Sequence, residues 1–215
     1  MIRHMWSAVY PLRINLLMYL RFYECAMLPT ISGCVHLSVA GGCGGTTWGL
    51  QYAREALSVG NHVVWICEDM PDGARFSQIF SNLSAASVSR FHLSVVGENT
   101  EVGIKSAIGL LEALDSISLV VVDDWTAKIG KVKSANLKAM RELVSDCTER
   151  ETSMIAISSS YEDANGTGWK ARGSLKDCET WFLHRSSMDS MVRELHIGGE
   201  VTEYILGDEG FTPRK

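Results

Sequence analysis

The sequence lacks any Cys-x-x-Cys pair, and its 6 cysteines are scattered singly along the chain. A zinc ribbon or zinc knuckle needs closely spaced pairs of ligands, so this spacing excludes both. Scattered thiols in a chain with no signal-peptide pattern are typical of a reducing compartment rather than of a disulfide framework. We therefore expect a cytoplasmic protein, or a nuclear one if the source is eukaryotic.

The sequence also lacks an apolar run that could span a membrane. Residues 1–27 are apolar overall, but Arg13 and Arg21 interrupt them, whereas a spanning helix needs about 20 apolar residues. The same two arginines fall where a signal peptide has its apolar region. Leu16 and Leu20 lie at helical spacing, which predicts an amphipathic helix that packs on the domain or on a partner protein.

A strong positive charge is absent as well. The net charge is −5 and the pI is about 5.7, which excludes a wholly basic nucleic-acid coat but leaves room for a local basic loop. Hydrophobic residues make up 46% of the chain and charged residues 21%, so a sizeable core can form and disorder is excluded as the main state.

From Gly33 onward, short apolar runs alternate with helical patterns. Strands are predicted at residues 35–39, 62–67, 91–95, 117–122 and 154–158, and helices at residues 47–59, 72–84, 101–114 and 136–149. This alternation predicts an α/β fold with a mostly parallel sheet covered by helices on both faces. Residues 180–184, 191–197 and 201–206 predict a C-terminal meander that extends one edge of the sheet with antiparallel strands.

No linker or internal repeat divides the chain. We predict a single core domain over residues 31–215, preceded by an apolar helical segment, residues 1–30, that contributes to an interface.

A glycine-rich loop joins the first predicted strand to the first predicted helix. Its residues are Gly41, Gly42, Cys43, Gly44, Gly45, Thr46 and Thr47. Backbone N–H groups of such a loop, together with the N-terminus of the helix, form a binding site for phosphate. The alternative is a glycine-rich turn with no ligand.

The loop departs from the Walker A motif, G-x-x-x-x-G-K-[ST], in which Lys contacts the β- and γ-phosphates and Ser or Thr binds magnesium. One register places Gly45 in the lysine position, and a register one residue later places Thr46 there. Both registers lose the lysine, and both lose the first glycine, which Val39 or Ala40 replaces. No lysine occurs anywhere before Lys105.

Two carboxylates follow predicted strands. Asp123 ends an apolar strand, where it can hold magnesium through water. Glu68 follows the strand after the glycine loop, where a carboxylate can orient an attacking water molecule. The alternatives are a turn or helix cap for Asp123 and an ordinary surface position for Glu68.

The order of these elements resembles that of the RecA-type ATPases. Residues 44–51, GGTTWGLQ, resemble the family's "GKTTLALQ"; residues 64–69, VWICED, with Arg75 resemble "vvyIdtEg…R"; and residues 120–124, VVVDD, resemble "vviDs". The details are most similar to the archaeal and eukaryotic recombinase branch, especially core-only paralogs of the RadB kind, and KaiC-like ATPases are the nearest rival.

The resemblance implies a RecA-like P-loop core with a nucleotide site. The residues that it assigns to the phosphates are Gly41, Gly42, Gly44, Gly45, Thr46 and Thr47, and those that it assigns to magnesium are Thr46, Thr47 and Asp123. Glu68 takes the role of the catalytic acid that activates water. Because the lysine is missing, we expect weak binding of ATP and Mg²⁺ and little or no hydrolysis by the chain alone.

Two further features concern the segment that follows the last predicted strand of the parallel sheet. Residues 158–160, SSS, stand where the recombinases have a Thr-Asn-Gln-like sensor. The family's second DNA-binding loop corresponds to residues 161–174, where Trp169 can stack on a base and Lys170 and Arg172 can contact phosphates of single-stranded DNA. The alternative is an ordinary solvated surface loop.

Tyr23 and Ala26 have the aromatic-x-x-Ala form of the motif with which recombinases join subunits. The resemblance implies an accessory factor in homologous recombination or DNA repair. Its partners would be a recombinase or another recombinase paralog, in a homo- or hetero-oligomer. The alternatives are a KaiC-like signalling ATPase of weak activity and a structural scaffold that binds no nucleotide.

Overall fold

The computed structural model describes residues 28–127, 130–163 and 168–215. The predicted interface at Tyr23 and Ala26 and the predicted N-terminal helix lie outside these residues. No helix in the described ranges is long and apolar enough to cross a membrane.

Ten strands form one sheet in the described part of the chain. They are β1 Cys34–Val39, β2 His62–Cys67, β3 Phe91–Val95, β4 Ile117–Asp123, β5 Ser153–Glu162, β6 Trp169–Ala171, β7 Glu179–Arg185, β8 Val192–Ile197, β9 Glu200–Gly207 and β10 Gly210–Pro213. Their order is β10-β9-β8-β7-β1-β5-β4-β2-β3, and β6 pairs with the end of β5.

The predicted fold class is confirmed. Strands β7, β1, β5, β4, β2 and β3 are mutually parallel, and β8, β9 and β10 continue the sheet from β7 in antiparallel fashion. β7 belongs to both parts, because it pairs in parallel with β1 and in antiparallel fashion with β8.

Helices cover both faces of the sheet, as the alternation predicted. They are α1 Gly45–Ser58, α2 Gly73–Phe80, α3 Ala85–Val88, α4 Thr100–Ala113 and α5 Ser134–Glu149. Along β4, Leu119 and Val121 join the core beneath α1 and α2, whereas Val120 and Val122 join the core beneath α4 and α5. Successive side chains of a strand point to opposite faces, so a strand covered on both faces is apolar throughout.

The prediction of one helix over residues 72–84 is wrong. The helix α2 ends at Phe80, and a separate helix begins after Ser84, whose side chain accepts a hydrogen bond from the backbone N–H of Ser87. Serine favours such an N-cap position because its hydroxyl satisfies a free N–H group. The strand β10 was not predicted, yet its Phe211 is buried against Trp48 of α1, with ring centroids 4.8 Å apart.

Candidate functional site

The carboxyl ends of the parallel strands β1, β2, β4 and β5 meet at one edge of the sheet, where ligands of such sheets bind. The glycine loop follows β1, and Glu68 and Asp123 lie at the ends of β2 and β4. A cleft of about 630 Å³ lies over the loop, and its walls include residues 39–46, Asp123, residues 157–160 and Arg172.

The glycine loop has the backbone geometry that its glycines permit. Gly42 and Gly44 have φ angles of 71° and 92°, in the left-handed region that disfavours other residues. Gly44 is the N-cap of α1, and its carbonyl accepts a hydrogen bond of 2.9 Å from the backbone N–H of Trp48. The N-terminus of α1 therefore opens toward the cleft, where its N–H groups can bind an anion.

Thr46 and Asp123 connect the glycine loop to β4. The Thr46 hydroxyl donates a hydrogen bond of 2.9 Å to Oδ2 of Asp123. Asp123 is only 7% exposed, and burial raises its pKa to about 7, while the hydrogen bond from Thr46 acts in the opposite direction. A hydroxyl and a carboxylate are oxygen ligands of the kind that Mg²⁺ prefers, so these residues fit a magnesium ion.

This geometry selects one of the two registers of the degenerate motif. α1 begins at Gly45 and the next residue, Thr46, contacts the acid at the end of β4. If the loop is aligned with the Walker A motif, this favours the register with Gly45 in the lysine position and Val39 in that of the first glycine. Thr47, the other candidate, is buried and lines a neighbouring cleft with Thr46.

A side chain at Gly45 would require neighbouring side chains to shift. A Cβ atom at Gly45 would lie 2.9 Å from Cγ2 of Val39 and 3.0 Å from Cγ2 of Ile157, and real contacts of a Cβ atom are almost always longer. The paired loss of the first glycine and the lysine was the signal in the sequence that could have indicated this packing, but the distance itself depends on the tertiary fold.

The neighbouring cleft, of about 330 Å³, contains the predicted catalytic acid. Glu68 is partly buried and lines this cleft together with Thr46, Asp123 and Arg75. Nη1 of Arg75 donates hydrogen bonds of 2.9 Å and 3.1 Å to the backbone carbonyls of Gly207 and Asp208. Glu68 therefore lies at the same edge of the sheet as the glycine loop, and Arg75 ties that edge to β9.

Trp169 and Lys170, predicted to contact DNA, lie on the short strand β6, which pairs in antiparallel fashion with the end of β5. The ring of Trp169 stacks on that of His184 with centroids 4.1 Å apart, and the tryptophan remains 37% exposed. Nζ of Lys170 lies 2.6 Å from Oδ2 of Asp163. Residues 164–167 of the predicted loop lie outside the described ranges.

The surroundings of Arg172 differ from those of Trp169 and Lys170, because Arg172 lines the glycine-loop cleft. Its guanidinium carbon lies 5.1 Å from the centre of the Tyr161 ring, and its Nη1 donates a hydrogen bond of 3.4 Å to the Gly130 carbonyl. The structure thus brings Arg172 together with the glycine loop, Thr46 and Asp123.

Sequence reasoning missed a buried pair in the wall of the cleft. Nε2 of His36 lies 2.7 Å from Oγ of Ser158, and Ser158 lines the cleft. Burial lowers the pKa of His36 to about 4, so the imidazole is neutral at pH 7 and holds the serine in place. No local spacing links the two residues, which are 122 positions apart.

No known family profile matches the sequence, and no curated protein matches it. The chain is similar to the RadB recombinase in its crystal structure, with a TM-score of 0.67 and 18% sequence identity over 86% of this chain and 93% of that chain. The chain therefore has the RecA-like fold that the resemblance implied.

Proposed function

We propose that this chain is a recombinase paralog that acts as an accessory factor in homologous recombination and DNA repair, with a degenerate nucleotide site. The observation that carries the proposal is the set of contacts that Thr46 and Gly45 make at that site. The hydrogen bond between Thr46 and Asp123 supports a magnesium site formed by these two residues. The contacts of Gly45 with Val39 and Ile157 leave little room for a side chain in the lysine position. The likeness to the RadB recombinase supports the recombination context.

In the proposed site, backbone N–H groups of the glycine loop bind phosphate oxygens of ATP. Thr46 and Asp123 hold Mg²⁺, which when bound neutralises phosphate charge. Glu68 orients a water molecule from the neighbouring cleft. The missing charge-assisted contact weakens binding by about 1.5–3 kcal/mol, so we expect a Kd of roughly 10⁻⁴ M or weaker and negligible turnover by the isolated chain.

We propose that single-stranded DNA is contacted through the strand β6. The exposed part of the Trp169 ring offers a surface for stacking a base. Lys170 offers a positive charge, although Asp163 competes with phosphate for it. One such site on an acidic subunit is weak, so useful affinity requires several subunits or the filament of a partner recombinase.

We further propose that Tyr23 and Ala26 contact a partner recombinase or another paralog. The test is co-purification of the tagged full-length chain from its native organism, with a Tyr23→Ser/Ala26→Glu variant as control. We expect a recombinase to co-purify with the natural chain and not with the variant. Light scattering of the two purified chains shows whether the same residues also join copies of this chain.

Calorimetric titration with ATP and Mg²⁺ tests the nucleotide site. Micromolar binding with steady phosphate release that Glu68→Gln abolishes would contradict a degenerate site. Such turnover without any recombinase partner would instead favour a signalling ATPase of the KaiC-like kind. Binding of a recombinase without any binding of nucleotide would support the accessory role and contradict the nucleotide part of the proposal.

A further inference from the structure

We propose that Arg172 supplies the positive charge that binds phosphate groups over the glycine loop, in place of the missing lysine. This inference rests on the proposed nucleotide site and names the residue that gives it affinity for a triphosphate. A cation is needed there because a phosphate chain is strongly negative, the carboxyl group of Asp123 lines the cleft, and the loop has no lysine to bind the phosphates.

The location of Arg172 meets this need. Among the described residues that line the glycine-loop cleft, it is the one with a positively charged side chain. It lies in the same cleft as the exposed loop residues Gly41 and Gly42. A ligand held by the N–H groups of the loop is therefore within the cavity that Arg172 also borders.

The guanidinium group of Arg172 has N–H donors available for a phosphate group. Within the described ranges, no carboxylate lies at ion-pair distance from Arg172. Its contact with the Gly130 carbonyl is long, at 3.4 Å, and involves only Nη1. Because guanidinium presents five N–H donors in a planar fork that matches phosphate, such a group can bind two phosphate oxygens at once.

The backbone at Arg172 is held firmly beside the cleft. Its N–H donates a hydrogen bond of 3.2 Å to the carbonyl of Ser159. The next residue, Gly173, has a φ angle of 76°, and a Cβ atom there would lie 2.5 Å from Cη2 of Trp125. This close approach permits only glycine, so the turn after β6 fixes where the arginine side chain begins.

The other nearby cations are engaged elsewhere. Nη1 of Arg75 donates to two backbone carbonyls across the neighbouring cleft. Lys170 is paired with Asp163, and Lys133, which lines a third cleft, lies 3.4 Å from Glu98. Arg172 is thus better placed than these three residues to replace the lysine.

The experiment measures ligand binding by the full-length chain with ligand-detected NMR titrations, which reach millimolar Kd values. The ligands are ATP with Mg²⁺ and inorganic tripolyphosphate with Mg²⁺, and the variants are Arg172→Gln, Arg172→Lys, Lys176→Gln and Arg75→Gln. Lys176→Gln is the matched control, because it removes a positive charge from an exposed position four residues after Arg172 that lines none of the three clefts. Circular dichroism and thermal unfolding confirm that each variant is folded.

We expect Arg172→Gln to weaken the binding of both ligands at least tenfold, as for the loss of a charge-assisted contact with phosphate. Lys176→Gln should leave both Kd values within about twofold of the natural chain. Arg172→Lys should bind between the natural chain and Arg172→Gln, because it keeps the charge and loses the fork.

Three results would overturn the inference. Unchanged binding of both ligands by Arg172→Gln would show that Arg172 does not bind phosphate. A tenfold loss of affinity in Arg75→Gln instead would assign the positive charge to Arg75. A loss of affinity for ATP but not for tripolyphosphate in Arg172→Gln would show that Arg172 contacts the nucleoside. If the natural chain binds neither ligand, the nucleotide part of the proposed function fails as well. Co-purification of a recombinase with the Arg172→Gln chain reports the accessory role independently of all these results.

Discussion

Val39 packs directly against the glycine at position 45. Cγ2 of Val39 would lie 2.9 Å from a Cβ atom at Gly45. The Walker A motif has glycine first and lysine seventh, whereas this loop has valine first and glycine seventh. In this alignment the larger residue stands first and the smaller one seventh, and the two are in contact between the end of β1 and the start of α1.

Restoring the lysine alone should therefore fail. We expect Gly45→Lys to lower the free energy of unfolding by about 1–3 kcal/mol, because the new side chain meets Val39 and Ile157. Adding Val39→Ala removes the nearer atom, Cγ2, and leaves Cβ of Val39 at 3.4 Å. The double variant should recover part of that stability and bind ATP more tightly than the natural chain.

Urea unfolding and calorimetry of the two single variants and the double variant form a double-mutant cycle that measures the coupling between the two positions. Additive effects on stability would show that Val39 does not close the lysine position. Micromolar ATP binding by Gly45→Lys alone would show the same.

Thr46 and Thr47 should differ in their effect on nucleotide binding. Thr46→Val removes the hydroxyl that donates to Asp123 at 2.9 Å and should cost about 1–3 kcal/mol of stability, because the buried acid loses a partner. It should also abolish the enhancement of ATP binding by Mg²⁺. Titrations with and without Mg²⁺ on Thr46→Val and Thr47→Val check this, and a larger loss in Thr47→Val would favour the other register.

The strand β6 should give DNA binding a shallow dependence on salt. Each neutralised phosphate on a single strand contributes about −0.7 to the slope of log K against log salt, so Lys170 alone predicts a slope near that value per subunit. Asp163→Asn should strengthen binding, because it releases Lys170 from its ion pair. Trp169→Ala should weaken binding by about 1–3 kcal/mol without altering the slope.

Fluorescence anisotropy with a labelled oligonucleotide, with and without the partner recombinase, measures these effects. Arg172→Gln is compared with Lys170→Gln, because the resemblance assigns both residues to DNA whereas the side chain of Arg172 lines the nucleotide cleft. If Arg172→Gln changes the slope as much as Lys170→Gln does, Arg172 also contacts DNA. If neither change affects binding, β6 is not the DNA contact.

His36 should make stability depend on pH. Burial lowers its pKa to about 4 in the folded protein, whereas in the unfolded chain the value is about 6.5. The unfolded state therefore binds the proton more tightly, so the stabilisation is complete above about pH 6.5 and is lost as the pH falls toward 4. The shift corresponds to about 3 kcal/mol at most.

His36→Gln cannot titrate but can still form a hydrogen bond with Ser158. We expect the difference in unfolding free energy between pH 7 and pH 4.5 to be smaller in this variant by about 2 kcal/mol. Urea denaturation at both pH values measures it. The same pH dependence in both proteins would mean that His36 is not the responsible group.

The sequence determined the layered α/β arrangement and the edge of the sheet at which the site lies. Apolar runs such as residues 117–122 are too short for buried helices and too apolar for exposed strands, so they predict strands covered on both faces. Because the carboxyl ends of parallel strands share one edge, Asp123 and the glycine loop were expected to lie near each other. The hydrogen bond from Thr46 to Asp123 follows from that arrangement.

Only the tertiary structure decided which side chains pack around the glycine loop. The order and register of the strands place Val39 beside Ser159 and Ser38 beside Ser158, and local patterns determine neither, since periodicity identifies a strand but not its neighbour. Contacts across more than 100 positions follow from this register, among them the bond between His36 and Ser158. The same pairing of β1 with β5 brings Ile157 against Gly45. The sequence shows that a lysine is missing, but only the packing of β1, β5 and α1 shows that a side chain at Gly45 would contact Val39 and Ile157.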